Sequence, residues 1–365
     1  MNILITGVDG YIGTVLAAYL ITRGHSVTGL DTGFYRDGWL YNDHALQRPR
    51  CVNRDLRAIT ESDVTGFDAV VHLAELSNDP LGQHSPELTY AINHKGSVAL
   101  ATMCMKSGVS RFVYTSSCSV YGTGSGEFKS EESETNPQTA YAKCKLLVEN
   151  DLIRLANDNF SPTFLRNSTA YGPSPRMRFD LVLNNLGGLA WTTQQIKMTS
   201  DGSPWRPLVH VRDIAQAIGC VLEAPRSVIH NQVFNVGSNS ENYQVRQIAE
   251  IIAEAFPGCA LSFGQSDCDN RSYRVCFDKI NSLLPGFKCR YNARDGAFEL
   301  YELFQRIDMT RDAFDFRAYT RLKQLEYLLR TGQIDDQFYW TGLSGSHAAS
   351  ETSYQLGVDR ALATG

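Results

Sequence analysis

Tyr141 and Lys145 stand at i and i+4 in the stretch YAKCK, shortly after a hydroxyl-rich run, YTSSCSVYG, that carries Ser116, Ser117 and Ser119. On a helix these two positions share one face, so the phenol and the ammonium can point into the same space. A free tyrosine titrates near ~10 and is a poor base at neutral pH, whereas a neighbouring ammonium favours its phenolate. With a serine hydroxyl to hold the reacting oxygen, such a pair can move a proton to or from a substrate hydroxyl. Taken alone, the pair reads better as a solvated lysine beside a half-buried tyrosine. The elements around it decide between the two.

The first half of the chain alternates strand and helix patterns. Ile3–Thr6 is a short apolar strand, followed by Tyr11–Arg23 with Ile12, Val15, Leu16, Tyr19 and Leu20 at helical spacing. Ser26–Asp31, Ala69–Ala74 and Arg111–Ser116 read as further strands, with a helix over Glu87–Lys106. Residues 140–157 read as a helix and Pro162–Arg166 as a strand. This order predicts an α/β fold built on a doubly wound parallel sheet. It occupies residues 1–170, and the chain returns to it over 207–238 with a helix in LVHVRDIAQAIGCVLEA and a strand in NQVFNVGS. The Pro- and Gly-punctuated segments YGPSPRMRFDL and SDGSPWRP leave the sheet, so 171–206 and 239–300 are expected to form a smaller, discontinuous α/β substrate-binding part. Residues 301–365 are expected to be a helical extension, with Leu322, Leu325, Leu328 and Leu329 on an amphipathic helix and a partly disordered tail.

Gly7, Gly10 and Gly13 fall between the first strand and the first helix in ILITGVDGYIGTVLAAYL. That position needs a tight turn, close backbone approach to a pyrophosphate, and a helix N-terminus that favours an anion. The spacing is GxxGxxG rather than the common GxGxxG, but a strand precedes it, a helix follows, and Asp31 closes the second strand. A carboxylate there accepts hydrogen bonds from ribose hydroxyls and repels a 2′-phosphate, which favours NAD over NADP.

Bulk properties exclude several other classes. The 365 residues are 43% hydrophobic and 20% charged, with a formal net charge of −5 and no polybasic run, which disfavours nucleic acid and anionic membranes as partners. No apolar stretch approaches the roughly 20 residues of a spanning helix. MNILITG leads straight into a strand without a signal-peptide pattern, so a cytoplasmic location is expected. Nine scattered cysteines without a CxxC pair, and histidines without ligand spacing, predict buried thiols and no metal.

GxxGxxG, then NRDLR, HLA, TSSCSVYG and YxxxK, in that order, resemble the extended short-chain dehydrogenase/reductase family, in its NDP-sugar epimerase/dehydratase branch. The likeness runs from residue 1 to about 290. It implies a Rossmann-type sheet holding NAD through Gly7, Gly10, Tyr11, Ile12, Gly13 and Asp31. By the same resemblance Asp55 and Leu56 flank the adenine, Leu73 and Ala74 line the cofactor path, and Asn93 supports the active site. Tyr141, Lys145 and Ser117 become the catalytic core, with Lys145 also holding the nicotinamide ribose. Ser117, Ser119, Asn167, Arg206 and Arg271 become substrate contacts, the two arginines for the diphosphate of a nucleotide sugar. Family members commonly pair helices in a homodimer.

Dehydratases and decarboxylases of the branch carry acids where this chain has Cys118 and Ser119. An acid-free, serine-rich site suits 4-epimerisation: oxidation at C4, rotation of the keto-sugar and re-reduction from the opposite face. Cys118 reads first as a small buried filler; with an unperturbed thiol pKa of about 8.5 it offers an alternative as a proton shuttle for a 5,6-type dehydration of a nucleotide sugar or related nucleoside. A 4-dehydrogenase is the other alternative. The intact Ser–Tyr–Lys set argues against a non-catalytic NAD-sensing scaffold.

Overall fold

Strand β1 (Asn2–Thr6) is apolar on both faces because both become buried: Ile3 and Ile5 point to one side of the sheet and Leu4 to the other. It is joined in chain order by β2 (Ser26–Asp31), β3 (Arg50–Asn53), β4 (Ala69–His72), β5 (Arg111–Ser117), β6 (Ser161–Asn167) and β7 (Gln232–Val236). In this computed structural model, which describes residues 1–43, 46–77, 85–123, 126–265 and 272–343, the seven strands are all parallel. Their order is β7-β6-β5-β4-β1-β2-β3. The order reverses between β1 and β4, and a crevice opens there at the strands' carboxyl ends.

Helices Tyr11–Thr22 and Val211–Glu223 cover one face, packing Leu16, Leu20, Ile214 and Ile218 on Ile3, Ile5, Val71 and Val113. Ser97–Lys106 and Ala140–Leu155 cover the other, with Leu100, Cys104, Val148 and Leu152 on Leu4, Val70, Phe112 and Phe164. This is the Rossmann-type arrangement expected from the alternating pattern.

The second lobe gathers helices Val182–Thr193, Val245–Ala255 and Ala293–Arg306 around Leu183, Leu186, Ile248, Ile252, Leu300 and Phe304. A small sheet of Thr169–Tyr171, Trp205–His210 and Asn242–Gln244 joins it to the main domain. Two details depart from expectation. The run LVH belongs to the strand Trp205–His210, and the helix begins only at Val211, where His210 caps it through the Arg212 amide. Helix Ala293–Arg306 runs across the expected boundary at residue 300, because its apolar face completes the second core.

The extension therefore begins after that helix. Its helix Arg321–Arg330 buries Leu325 and Leu328, which with Ile334 and Phe338 close on Phe34, Leu76 and Ile92 at the carboxyl end of the main sheet. The tail expected to be partly disordered, from residue 344, lies outside the described residues. No helix among the described residues is long and apolar enough to cross a membrane.

Candidate active site

The turn after β1 is shaped by what a side chain would strike. Gly7 has φ +76°, and a Cβ there would sit 2.7 Å from the Ala74 amide nitrogen; one at Gly13 would sit 2.3 Å from the Gly7 carbonyl. Backbone thus packs directly on backbone, and helix Tyr11–Thr22 starts at the floor of the crevice. Asp31, ending β2, accepts from the Asp9 amide at 3.1 Å and the Gly33 amide at 2.8 Å. Burial, then the neighbouring Asp9, raise its pKa above the usual carboxylate range. Asp55 caps the next turn through the Arg57 amide at 2.7 Å, with Leu56 buried behind it. Gly7, Gly10, Tyr11, Ile12, Gly13, Asp31, Asp55, Leu56, Leu73 and Ala74 all line one cavity of about 650 Å³. Asn93 does not: fully buried, it holds the Leu76 amide at 2.8 Å and the Leu76 carbonyl at 3.0 Å, pinning the loop after β4 from behind.

The same cavity continues to the catalytic candidates. Thr139 caps helix Ala140–Leu155 through the Ala142 amide at 3.2 Å, which sets Tyr141 and Lys145 on the cavity wall in its first two turns. Lys145 Nζ lies 5.4 Å from the centroid of the Tyr141 ring and donates to the Thr115 carbonyl. Ser117 ends β5, its Oγ accepting from the Ser119 amide at 3.1 Å. Ser117, Ser119 and Asn167 line the cavity. Among the described residues, the buried Ser119 Oγ and Asn167 Oδ1 have no hydrogen-bond partner. Buried oxygens of this kind suit a polar, hydroxyl-bearing ligand.

Two expectations are corrected. Cys118 is 1% exposed, is not on the cavity wall, and donates to the Arg166 carbonyl at 3.1 Å. Burial pushes its thiol up to about 12, and both its position and that shift fit a core side chain. Nor is the site free of acids. Glu75, just past β4, lines the cavity with its Oε2 2.6 Å from Lys145 Nζ and its Oε1 accepting from the Tyr114 hydroxyl at 2.6 Å. Burial raises the Glu75 pKa more than Lys145 lowers it. For Lys145, burial disfavours the ammonium, but Glu75 and Tyr141 outweigh it and the net shift is upward. The only signal for Glu75 was its place directly after HLA.

Arg206 reaches the cavity from strand Trp205–His210 and donates to the Trp205 carbonyl at 2.8 Å. Arg271 lies outside the described residues. Arg178, whose direction the sequence does not disclose, lines the cavity, pairs with Asp180 through two 2.9 Å contacts and reaches Ser77 Oγ at 3.2 Å. Arg176 turns away to pair with Asp9. Arg321 enters the wall from the extension, past the stretch that carries the resemblance. Among the described residues no group of three or more His, Cys, Asp or Glu side chains could hold a metal ion.

A model of the NAD dependent epimerase/dehydratase family matches residues 3–237, most of the chain. The chain belongs to that family. NAD is its cofactor, and the Gly7–Gly13 cradle with Asp31 at the end of β2 fits it. One relative of this family member is a UDP-glucose 4-epimerase of Corynebacterium glutamicum, 29% identical over 70% of this chain and 80% of that protein. Among solved structures, MoeE5 in complex with UDP-glucuronic acid and NAD matches at 26% identity, with a TM-score of 0.71 over 84% of this chain and 99% of that one. TunA, an NAD-dependent NDP-hexosamine 5,6-dehydratase, shares the fold with a TM-score of 0.74 at 23% identity, over 84% of this chain and 99% of its own.

Proposed function

We propose that the protein is a nucleotide-sugar 4-epimerase that oxidises the sugar transiently at C4 and restores it with inverted configuration. One observation carries this reading: Tyr141, Lys145 and Ser117 share a continuous cavity with the dinucleotide cradle, and no carboxylate occupies positions 118 and 119. Bound NAD supplies a hydride acceptor that can return the hydride. The chain supplies the rest. Ser117 Oγ holds the C4 oxygen while the Tyr141 phenolate takes its proton, and Tyr141 gives the proton back when the alcohol is restored. Lys145 beside the ring favours the phenolate, and Glu75 offsets part of that charge. Ser119 Oγ and Asn167 Oδ1 meet sugar hydroxyls, and Arg206 meets the substrate diphosphate, with Arg271 as a second contact.

Glu75 also supports an elimination, since a buried carboxyl with a raised pKa can serve as an acid. Product analysis separates the readings. Purified protein is incubated with UDP-, GDP-, dTDP- and CDP-sugars, and product mass and NADH absorbance are followed. The expected result is a new sugar isomer of unchanged mass without accumulating NADH. Loss of water assigns a dehydratase instead, and accumulating NADH a 4-dehydrogenase.

The exposed Leu147 (38%) on helix Ala140–Leu155 supports a homodimer paired through that helix; light scattering should give twice the mass of one chain. The free cysteines support a cytoplasmic location, to be tested by cell fractionation.

A further inference from the structure

The extension carries into the cavity a charge that the proposed chemistry does not use. Arg321 opens helix Arg321–Arg330, is 4% exposed and lies on the cavity wall. Its guanidinium sits over the Tyr35 ring, 3.8 Å from the centroid. Among the described residues it has no hydrogen bond and no ion pair, and the Asp180 carboxylate that attracts it is already paired with Arg178. The other basic groups of the wall are engaged: Lys145 by Glu75, Arg178 by Asp180, Arg54 by Asp63 at 3.2 Å, and Arg206 by the Trp205 carbonyl. Burial, then the like charge of Arg178, pull the Arg321 pKa down to about 10. A buried cation whose nearby carboxylate is shared with another arginine is under-compensated, and a bound anion relieves that penalty.

The extension fixes this group in one half of the cavity. Gln324 Nε2 donates to the Phe34 carbonyl at 2.9 Å and Trp340 Nε1 to the Thr32 carbonyl at 2.8 Å. Both anchors lie on the segment directly after Asp31, at the dinucleotide end. The charge around the turn after β1 fits as well. Asp9 and Asp31 place negative charge there, and Arg176 and Arg48 are both paired with Asp9, so a further cation on the facing wall favours a diphosphate at that turn.

We propose that Arg321, with Arg178 beside it, forms a second diphosphate-binding wall contributed by the C-terminal extension, and that the diphosphate is the dinucleotide's. A planar guanidinium pairs with phosphate oxygens in a fork, which suits the residue type. The inference rests on NAD as cofactor and not on which sugar reaction follows.

The test is equilibrium binding. NADH is titrated by its fluorescence and UDP by calorimetry, on wild type, Arg321→Ala and Arg321→Lys, each first matched to wild type in thermal unfolding. Arg321→Ala should weaken NADH by about 10- to 100-fold, the range of a charge-assisted contact, and change UDP by less than about twofold. Arg321→Lys should recover part of the loss. Weakened UDP with unchanged NADH would overturn the assignment and give the arginine to the substrate diphosphate. Unchanged binding of both would reduce it to a packing residue on Tyr35, and equal losses would mark a loosened cavity; either result also overturns the proposal. If Arg321→Ala does not fold, Arg321→Gln takes its place.

Discussion

Two buried ion pairs grow from one helix and serve different ends. Lys145 and Glu149 sit one turn apart on Ala140–Leu155, both with buried side chains. Glu149 faces the core, where Arg166 meets it at 2.7 Å with a further contact through Nε at 3.1 Å, Ser116 Oγ donates to it, and Arg166 donates on to the Tyr121 hydroxyl at 3.0 Å. Every charge in that network has its hydrogen bonds, the condition under which a buried pair is tolerated. Lys145 faces the cavity, and its partner Glu75 is held by the Tyr114 hydroxyl on one oxygen and by the ammonium on the other. The first pair is closed within the protein. The second stands where a ligand can join it.

Breaking the closed pair should have the largest effect. Glu149→Ala leaves the Arg166 guanidinium buried without its carboxylate, a loss of about 3–5 kcal/mol in urea unfolding. A smaller, pH-dependent effect is expected at the open pair. A carboxyl whose pKa is raised in the folded state contributes stability that is fully present below its unfolded value and is lost as pH rises through the folded value. Glu75→Gln removes that loss, so unfolding free energies measured from below pH ~4 upward should show the variant gaining on wild type. Each unit of upward shift is worth about 1.4 kcal/mol. A gain that appears instead on acidification would contradict the raised pKa. Cys118→Ala, next to the closed pair, should give the smallest effect: about 1 kcal/mol of stability from lost packing, with product profile and rate unchanged. A rate loss there would return the thiol to the chemistry.

The same contrast explains what could be read from the sequence. Gly7, Gly10, Asp31, Ala74, Ser117 and Asn167 stand at strand ends or in the turns that follow, where alternation and topology fix which way a residue faces. Tyr141 and Lys145 share a face by helical spacing alone. Cys118 left two readings open, filler or shuttle, because Ser117 caps a tight turn over Cys118–Tyr121 that rotates the thiol into the core, and no local pattern reports that rotation. Glu75, Arg178 and Arg321 were missed for another reason. Each acquires its meaning from a partner distant in the chain, Lys145 for Glu75, Ser77 for Arg178 and Tyr35 for Arg321. The start of helix Val211–Glu223 was blurred because the strand before it is equally apolar.

Central to the account is that the Tyr141 oxygen carries the proton of the reacting hydroxyl. Tyr141→Phe removes that one atom and keeps the ring beside Lys145. Its turnover on the nucleotide sugar that wild type converts, measured with the amount of NAD that remains bound, is the most direct test. The account predicts a loss of about 10²- to 10⁴-fold in turnover with bound NAD unchanged. A variant that turns over at the wild-type rate would contradict it.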